Sequence, residues 1–361
     1  MEDLVMDATF WKNKRVLITG HTGFKGSWLS LWLQTRGATV TGYSLEPPTS
    51  PSFFEISGIA AEMVSIHGDI RDLENFKAAV KTHQPEIIIH MAAQSLVRYS
   101  YNHPVETYST NVMGTVNILD TVRQLGGVKV VLIITSDKCY ENRETLTGYR
   151  ESDPMGGYDP YSSSKGCAEL VTAAYRNSFF PPARYSSHGV AIASTRAGNV
   201  IGGGDWGEDR LIPDIMKSSL ANQPVTIRFP DAIRPWQHVL EPLNGYLQLA
   251  EHMWNEGAEF TGGWNFGPDN DDCRPVHWIL EILNKQWKGG IKWVQCAADN
   301  PHEATYLNLD CDKSKQLLGW SPKLDLTAAL ELVVNWYQGY AHSENMRELS
   351  ISQLEYYENL K

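Results

Sequence analysis

The chain has 361 residues, of which 42% are hydrophobic and 20% charged, as in soluble globular proteins large enough for two lobes. Its net charge of −11, without a Lys/Arg cluster, argues against a nucleic-acid partner. The N-terminus is acidic and no run of about 18 apolar residues occurs, so we expect neither a secretory signal nor a membrane span and predict a cytoplasmic protein. The five cysteines form no C-x-x-C pair, so we expect no metal site and no disulfide framework.

Strand-like apolar runs alternate with helix-length segments through the first half of the chain. This alternation predicts an α/β fold, a Rossmann-like doubly wound parallel sheet with right-handed crossovers. Helices are predicted between the strands, including 72–82 and 105–125. The predicted strands are 14–19, 38–43, 63–67, 86–90, 129–135 and 190–196.

Beyond the sixth predicted strand, the regular alternation gives way to loops that contain Gly, Pro and Trp. We therefore predict a dinucleotide-binding domain at 1–196 and a smaller C-terminal substrate-binding lobe that makes up most of 197–361. A segment at about 235–262 is expected to return to the first domain.

A glycine-rich turn follows the first predicted strand. Gly20, Gly23 and Gly26 have the spacing G-x-x-G-x-x-G and precede an apolar, helix-compatible run. In this strand–turn–helix context, backbone N–H groups at a helix N-terminus bind a pyrophosphate. Thr22 and Phe24, in the same turn, are further predicted cofactor contacts. The motif alone is also compatible with an ordinary β–α turn.

A second motif places Tyr161 and Lys165 four residues apart, on one face of a predicted helix, downstream of Ser136. An ammonium beside a phenol favours the phenolate, so we expect Lys165 to lower the pKa of Tyr161 below its usual value of about 10. Such a tyrosine can take a proton from an alcohol while the carbon beneath it loses hydride. Alone, Y-x-x-x-K usually marks a solvated helix face, and it gains weight only from the glycine-rich turn.

Several long strings make a resemblance to a known family specific. The chain resembles the extended short-chain dehydrogenase/reductases that modify nucleotide sugars, and within them the 4,6-dehydratase branch. The resemblance implies NAD-dependent conversion of CDP-glucose to a 4-keto-6-deoxy sugar for deoxysugar and lipopolysaccharide O-antigen biosynthesis, by a homodimer or homotetramer. The strings that carry it are TSDKCY at 135–140, RAGNVIGGGDW at 196–206, DRLIPD at 209–214 and RPWQHV at 234–239.

The resemblance also implies roles for the motif residues. Tyr161, helped by Lys165 and Ser136, would deprotonate the C4 hydroxyl of glucose while the C4 hydride passes to the nicotinamide. The 4-ketone acidifies the C5 proton, water leaves across C5–C6, and hydride returns to C6. Asp137 and Lys138, after the fifth predicted strand, are placed to protonate the departing C6 hydroxyl and to take the C5 proton.

The chain departs from the wider family at this acid–base pair. Related dehydratases have Asp-Glu where this chain has Asp137-Lys138. To act as the C5 base, Lys138 needs a neutral amine, which burial and the charge of Lys165 would favour by lowering its pKa. The alternative is that Lys138 pairs with Asp137 and another group takes the C5 proton.

Cofactor preference is predicted from the end of the second strand. No basic residue follows that strand until Arg71, so NADP lacks its usual phosphate clamp and NAD is favoured. The acid that commonly binds the ribose is missing, which leaves Ser44 or Glu46 as its substitute. Asp69 and Ile70 resemble the family's adenine-contacting pair, although Asp69 would equally serve the turn before a helix.

The remaining predicted contacts lie in loops. Ala92 and Ala93, after the fourth strand, are small enough to lie beside the cofactor. A guanidinium suits paired phosphate oxygens, which favours arginines as ligands of the nucleotide diphosphate. The implied substrate-binding residues are Gln94, Ser95, Arg98, Asn199, Arg210, Leu211, Arg234 and His302.

Several alternatives remain open at this stage. The substrate could instead be dTDP-glucose or GDP-mannose, because no residue demonstrably reads the base. A nucleotide-sugar 4-epimerase uses the same Tyr/Lys pair but needs no acid–base pair for elimination, and a non-catalytic dinucleotide-binding regulator would need neither. The acidic segment 269–272 starts like a calcium loop but has Arg274 where a glycine is needed, so it is interpreted as a turn. Asn111 is interpreted equally well as site support or as packing.

Overall fold

The computed structural model describes residues 9–143, 147–296 and 307–360. Its strands form one large sheet and two small ones. They are β1 (Arg15–Thr19), β2 (Thr39–Ser44), β3 (Val64–His67), β4 (Ile87–His90), β5 (Val130–Ile134), β6 (Ala191–Ala197), β7 (Asn199–Ile201), β8 (Val225–Ile227), β9 (Ile233–His238), β10 (Gly262–Phe266), β11 (Cys273–Pro275) and β12 (Trp293–Gln295).

Helices cover both faces of the large sheet and build much of the second half of the chain. They are α1 (Phe24–Thr35), α2 (Phe53–Ile56), α3 (Leu73–His83), α4 (Val97–Asn102), α5 (Pro104–Tyr108), α6 (Gly114–Leu125), α7 (Pro160–Ser178), α8 (Tyr185–His188), α9 (Leu211–Leu220), α10 (Leu240–Glu256), α11 (Val276–Gln286), α12 (Asp312–Leu318), α13 (Leu326–Ala341) and α14 (Met346–Asn359).

The large sheet has seven parallel strands in the order β10–β6–β5–β4–β1–β2–β3. The order reverses between β1 and β4, the switch point at which an open parallel sheet leaves a crevice at its carboxyl edge. The predicted α/β, Rossmann-like sheet is confirmed, and each of its first six strands lies within one residue of the predicted bounds.

Successive side chains of the strands point to opposite faces of the sheet and pack into two separate hydrophobic cores. Ile87 and Ile89 pack on one face with Trp28 of α1 and Leu243 of α10. Ile88 packs on the other face with residues of α3 and α6. Fully apolar strands are what burial on both faces of a parallel sheet requires.

The predicted helix 105–125 is interrupted. The segment is α5, then a π-helical turn at Ser109–Met113, then α6. A π turn inserts one residue into the helical repeat and re-aims the side chains within it, often at functional sites. Here it turns Asn111 inward, where that side chain is buried.

Part of the second half of the chain returns to the large sheet. β10 pairs with β6 as its edge strand, and α10 packs on the face that α1 also covers. The other late strands form a three-stranded sheet in the order β11–β9–β7 and a pair of β12 with β8. The division into 1–196 and 197–361 stays a prediction.

Candidate active site

The glycine-rich turn packs against the loop after β4. Gly20 has a left-handed backbone (φ +76°), and a Cβ there would lie 2.7 Å from the backbone N of Ala92. A Cβ on Gly26 would lie 2.1 Å from the Gly20 carbonyl oxygen. Both positions therefore require glycine, because any side chain would push the turn away from β4 or from α1.

The N-terminus of α1 fits an anionic group. The helix starts after Gly23, which offers no side chain to cap it. A Cβ on Gly23 would meet only the Gly20 carbonyl, at 3.4 Å, within a 4 Å radius. The first N–H groups of α1 therefore have no side-chain cap and lie at the positive end of the helix dipole, which suits the pyrophosphate of a dinucleotide.

The end of the crevice near β2 holds the predicted ribose and adenine contacts. Thr22 Oγ1 lies 2.8 Å from Ser44 Oγ and donates to the Leu45 carbonyl at 3.0 Å, so Ser44 lies beside the turn. Glu46 lies farther out, 80% exposed at its side chain, and contacts His67.

Asp69 and Ile70 lie at the same end of the crevice, each with its own contacts. The guanidinium of Arg71 forms an ion pair with the Asp69 carboxylate at 2.5 Å. Ile70 is buried against the site of Gly114, where a Cβ would come within 2.9 Å of the isoleucine side chain. Arg71 is therefore held by Asp69.

Tyr161 and Lys165 lie on the first turns of α7, above the end of β5. Both side chains are buried, and Lys165 Nζ donates to the Ile134 carbonyl at 3.2 Å. The Tyr161 phenol lies close enough to Ser136, which follows β5, for this hydroxyl to favour the phenolate. The structure thus brings together the three residues that the sequence assigned to proton transfer at C4.

The predicted lowering of the Tyr161 pKa by Lys165 is wrong for this structure. Burial raises the pKa of Tyr161 to about 12, and the Ser136 hydrogen bond and the charge of Arg210 offset only part of that rise. Burial, followed by the charge of Lys25, lowers the pKa of Lys165 to about 8. Helical spacing places the two groups on one face of α7, but it carries no information about the cost of burying both of them.

Asp137 lies one residue beyond Ser136 and is 4% exposed. The Ser136 hydroxyl donates to Asp137 Oδ1 at 2.9 Å. Burial raises the pKa of Asp137 in spite of the charges of Lys138 and Arg234. Lys138 is half-buried beside it, with its backbone N–H donating to Ser136 Oγ at 3.2 Å.

Arg210 is a predicted substrate ligand that lies near these groups. Its guanidinium donates to both carboxylate oxygens of Asp205, at 3.1 and 3.3 Å, and to Ser95 Oγ at 3.0 Å. Its positive charge is also felt by Tyr161. Two predicted substrate contacts, Ser95 and Arg210, are therefore in direct contact across the crevice.

The other predicted substrate contacts are more scattered. Arg98 pairs with Asp209 at 3.8 Å. Gln94 is engaged in its own loop, where its amide nitrogen donates to the Leu96 carbonyl and to Thr107 Oγ1. Arg234 on β9 is close enough to Asp137 to influence its pKa.

The remaining predicted contacts frame the crevice. Asn199 begins β7 and pairs with Trp236 of β9, and Leu211 is the first residue of α9. Ala92 donates its N–H to Thr19 Oγ1 at 3.2 Å, and Ala93 is half-buried next to it. Phe24 reaches the site of Gly202, where a Cβ would lie 3.0 Å from its ring. His302 lies outside the described residues.

Asn111 supports the site. Its amide nitrogen donates to Ser164 Oγ at 2.8 Å and to the Gln94 carbonyl at 2.9 Å, and its oxygen accepts from the Gln94 N–H at 2.8 Å. One side chain thereby joins α7 to the loop after β4. The inward turn of Asn111 comes from the π-helical turn, which the sequence pattern did not predict.

A buried ion pair that the sequence did not reveal lies directly behind the site. Arg196 of β6 donates to both carboxylate oxygens of Glu169, at 2.8 and 3.0 Å. Ser194 and Thr135 donate to the same carboxylate, at 2.6 and 2.5 Å. Burial raises the pKa of Glu169, but Arg196 outweighs it and holds that pKa below the usual range.

Lys25 was also missed, although it lies inside the glycine motif. Its Nζ donates to Tyr246 Oη of α10 at 3.0 Å. A lysine between the last two glycines of the motif, next to the predicted start of a helix, was the available signal. Among the described residues, no cluster of His, Cys, Asp and Glu could hold a metal ion. The same part of the chain contains no helix that combines the length and apolarity of a membrane span.

Sequence comparison finds relatives along nearly the whole chain. The profile of the family described as GDP-mannose 4,6 dehydratase matches residues 17–333. A curated protein of Salmonella typhimurium, CDP-glucose 4,6-dehydratase, is 57% identical over 342 residues, 95% of either chain. A UDP-glucose 4-epimerase of Halalkalibacterium halodurans is 26% identical over 342 residues, 91% of this chain and 96% of its own.

Solved structures of more distant proteins share the fold. The dTDP-glucose 4,6-dehydratase of Bacillus anthracis, in complex with NAD, has a TM-score of 0.73 at 21% identity and covers 93% of this chain and 99% of its own. An epimerase of Methanothermobacter thermautotrophicus has a TM-score of 0.78 at 22% identity, over 96% and 98%. Since the family profile and the Salmonella relative both span most of the sequence, the chain belongs to the GDP-mannose 4,6 dehydratase family.

Proposed function

We propose that the protein is an NAD-dependent lyase that converts CDP-glucose to CDP-4-keto-6-deoxyglucose. The observation that carries the reaction class is the convergence of Tyr161, Ser136 and Asp137 at the carboxyl end of β5. The choice of CDP-glucose rests on the 57% identity with the Salmonella enzyme of that name.

The open N-terminus of α1 supports a dinucleotide, and the β2 end of the crevice favours NAD over NADP. Ser44 stands where a second-strand acid would bind the ribose, and Thr22 holds it at 2.8 Å. Arg71, the first basic residue after β2, is already paired with Asp69 and offers no separate clamp for a 2′-phosphate. When bound, NAD supplies reversible acceptance of a hydride from the sugar.

In the first half of the reaction, Tyr161 takes the proton of the C4 hydroxyl. Its buried position disfavours the phenolate, while the Ser136 hydrogen bond and the charge of Arg210 favour it. Lys165 is held one helical turn away by the Ile134 carbonyl. These groups define one proton-transfer position at the end of β5.

In the second half, Asp137 gives a proton to the departing C6 hydroxyl. The raised pKa of Asp137 favours the protonated carboxyl that this step needs. Lys138, beside it, is the proposed base for the C5 proton. A 4-epimerase moves hydride at C4 alone and has no use for such a donor, which is why the site favours dehydration.

The nucleotide diphosphate is proposed to lie along the arginines opposite the turn. Arg210 donates hydrogen bonds to Asp205 and Ser95, and these contacts fix the orientation of its planar guanidinium. Arg234 of β9 approaches from the same side as Asp137. Gln94, Arg98, Asn199, Leu211 and His302 complete the proposed substrate contacts.

The test is turnover of CDP-, dTDP-, UDP- and GDP-hexoses in the presence of NAD. We expect CDP-glucose to give a 4-keto product that absorbs strongly in alkali. Turnover of dTDP-glucose or GDP-mannose in its place would contradict the substrate and leave the mechanism intact. Interconversion of two hexoses without a keto product would identify a 4-epimerase.

We infer that the enzyme acts in the cytoplasm, where nucleotide sugars and NAD are available, and supplies deoxysugars for lipopolysaccharide O-antigen. We also infer a homodimer, or a tetramer built from two dimers. Exposed apolar side chains on α4, α5 and α7 or next to them support pairing through this part of the protein. They are Tyr101, Val105, Tyr108, Met113, Tyr158, Leu170 and Phe179.

Light scattering of the protein in solution tests the assembly. Val105, at 81% exposure, and Leu170, at 60%, are the residues to change. The double variant Val105→Glu/Leu170→Glu should give the mass of one chain, because two buried charges would oppose pairing. A wild-type mass of one chain would refute the inference.

A further inference from the structure

Lys25 is a half-buried lysine that the proposed proton transfers do not use. It is the second residue of α1, and its Nζ donates to Tyr246 Oη at 3.0 Å. The same ammonium lies 5.2 Å from the centroid of the Tyr246 ring. Tyr246 is fully buried on α10, so it fixes the direction of the lysine side chain.

The fixed ammonium lies among the charges of the catalytic cleft. Burial, then the charge of Arg210, lowers the pKa of Lys25 to about 8, while Asp137 acts in the opposite direction. Among the charges around Lys165, that of Lys25 has the largest effect on the pKa of Lys165, which it lowers. Lys25, Lys165 and Arg210 thus lie near one another, and of the three Arg210 is paired with a carboxylate, that of Asp205.

The position of this charge relative to a dinucleotide follows from the fold. The pyrophosphate end is at the N-terminus of α1, and the reacting carbon must lie next to Tyr161. Lys25 enters the space between these points from the α1 side of the sheet, whereas Lys165 enters from the α7 side. The nicotinamide half of the dinucleotide is therefore expected between the two amines.

We propose that Lys25 sets the redox balance of the bound cofactor by disfavouring the cationic, oxidised nicotinamide relative to the neutral, reduced one. The inference rests on the NAD-dependent function proposed above. In C4 oxidation the C4–H bond gives its hydride to NAD⁺, the O–H bond gives its proton to Tyr161, and NADH and a ketone are formed. A positive charge beside the ring favours that direction and weakens the binding of NAD⁺.

The test compares the dissociation constants of NAD⁺ and NADH, measured at pH 7 by titration calorimetry. In Lys25→Met and Lys25→Gln the ratio Kd(NAD⁺)/Kd(NADH) should fall about tenfold. This is the effect expected for the loss of one charge beside the nicotinamide in a cleft that partly shields it. A tenfold fall corresponds to a bound-cofactor potential that is lower by about 30 mV. Lys25→Arg should keep the ratio within twofold of the wild type.

Lys12→Met is the matched control, because it removes the same charge from an exposed position just before β1. Its ratio should equal that of the wild type. Should both neutral variants lose the fold by circular dichroism, Tyr246→Phe decides, since it releases the ammonium and should lower the ratio at least twofold.

An unchanged ratio in the folded neutral variants, or an equal fall in Lys25→Arg, overturns the inference; so does an unchanged ratio in Tyr246→Phe where that variant decides. These results leave the proposed function standing. Failure of the wild type to bind either NAD⁺ or NADH would instead refute the proposed function itself.

Discussion

Thr135 and Ser136 are neighbours in sequence but face two different buried clusters. Thr135 donates to Glu169, which Arg196 and Ser194 also contact, so that carboxylate is surrounded by donors. Ser136 donates to Asp137, a carboxyl at similar depth whose pKa is raised. A buried carboxylate with a full set of donors stays ionised and holds structure, whereas one with fewer donors favours its protonated form and can do chemistry.

The largest effect is expected in the cluster around Glu169. Arg196→Met should lower the free energy of unfolding by about 3–5 kcal/mol, because it leaves the Glu169 charge buried without its partner. Urea denaturation measures the loss. The double variant Glu169→Leu/Arg196→Met is the control and should recover most of it, since both charges are gone. A loss below about 1 kcal/mol in Arg196→Met would contradict the structural role.

Asp137→Asn should act on turnover instead of stability. We expect release of the keto product to fall about 100- to 1,000-fold, because a carboxamide is not acidic enough to protonate the departing C6 hydroxyl. C4 oxidation should continue, so reduced nicotinamide should accumulate in its near-ultraviolet absorption band. Equal losses of reduced nicotinamide and of product would show that Asp137 acts at C4 instead.

Lys138→Met separates the two proposals for the C5 base. The variant should still oxidise C4 but should block exchange of the C5 hydrogen with deuterated solvent, followed by mass spectrometry of the sugar. Unchanged exchange would refute the assignment and leave Lys138 as the ionic partner of Asp137.

Ser136→Ala should have the smallest effect, about a tenfold fall in kcat at pH 7. Loss of the hydrogen bond raises the pKa of Tyr161 further and so lowers the fraction of phenolate. The deficit should therefore stay constant from pH 7 to about pH 10, because this range lies below the Tyr161 pKa of about 12 and the fraction of phenolate rises in parallel in both proteins. A deficit that shrinks within this range would contradict the raised pKa of Tyr161.

Local sequence patterns predicted the fold well. The first six sheet strands are short apolar runs between turns, and such runs report burial on both faces directly. The glycine spacing predicted the turn, because Gly20 and Gly26 have no room for a side chain. The predicted helix 105–125 missed the π-helical turn, since an inserted residue barely alters the hydrophobic pattern.

The site was less accessible from sequence. Ser136, Asp137, Tyr161 and Lys165 were predicted from motif and resemblance, but the balance of their charges was not. Glu169 of α7 pairs with Arg196 of β6, and Lys25 of α1 contacts Tyr246 of α10. Only the tertiary fold brings these residues together. The predicted direction of the Tyr161 pKa shift was wrong. Burial, a tertiary property, raises this pKa by more than the charge expected one helical turn away lowers it.

The most direct test of the central claim follows one hydrogen atom. CDP-glucose carrying deuterium at C4 should be converted with NAD, and the product analysed by NMR and mass spectrometry. An internal oxidation and reduction around Tyr161 and Asp137 predicts that the deuterium is found at C6 of the 4-keto-6-deoxy sugar. Deuterium that returns to C4, or that is lost to the solvent, would contradict the account.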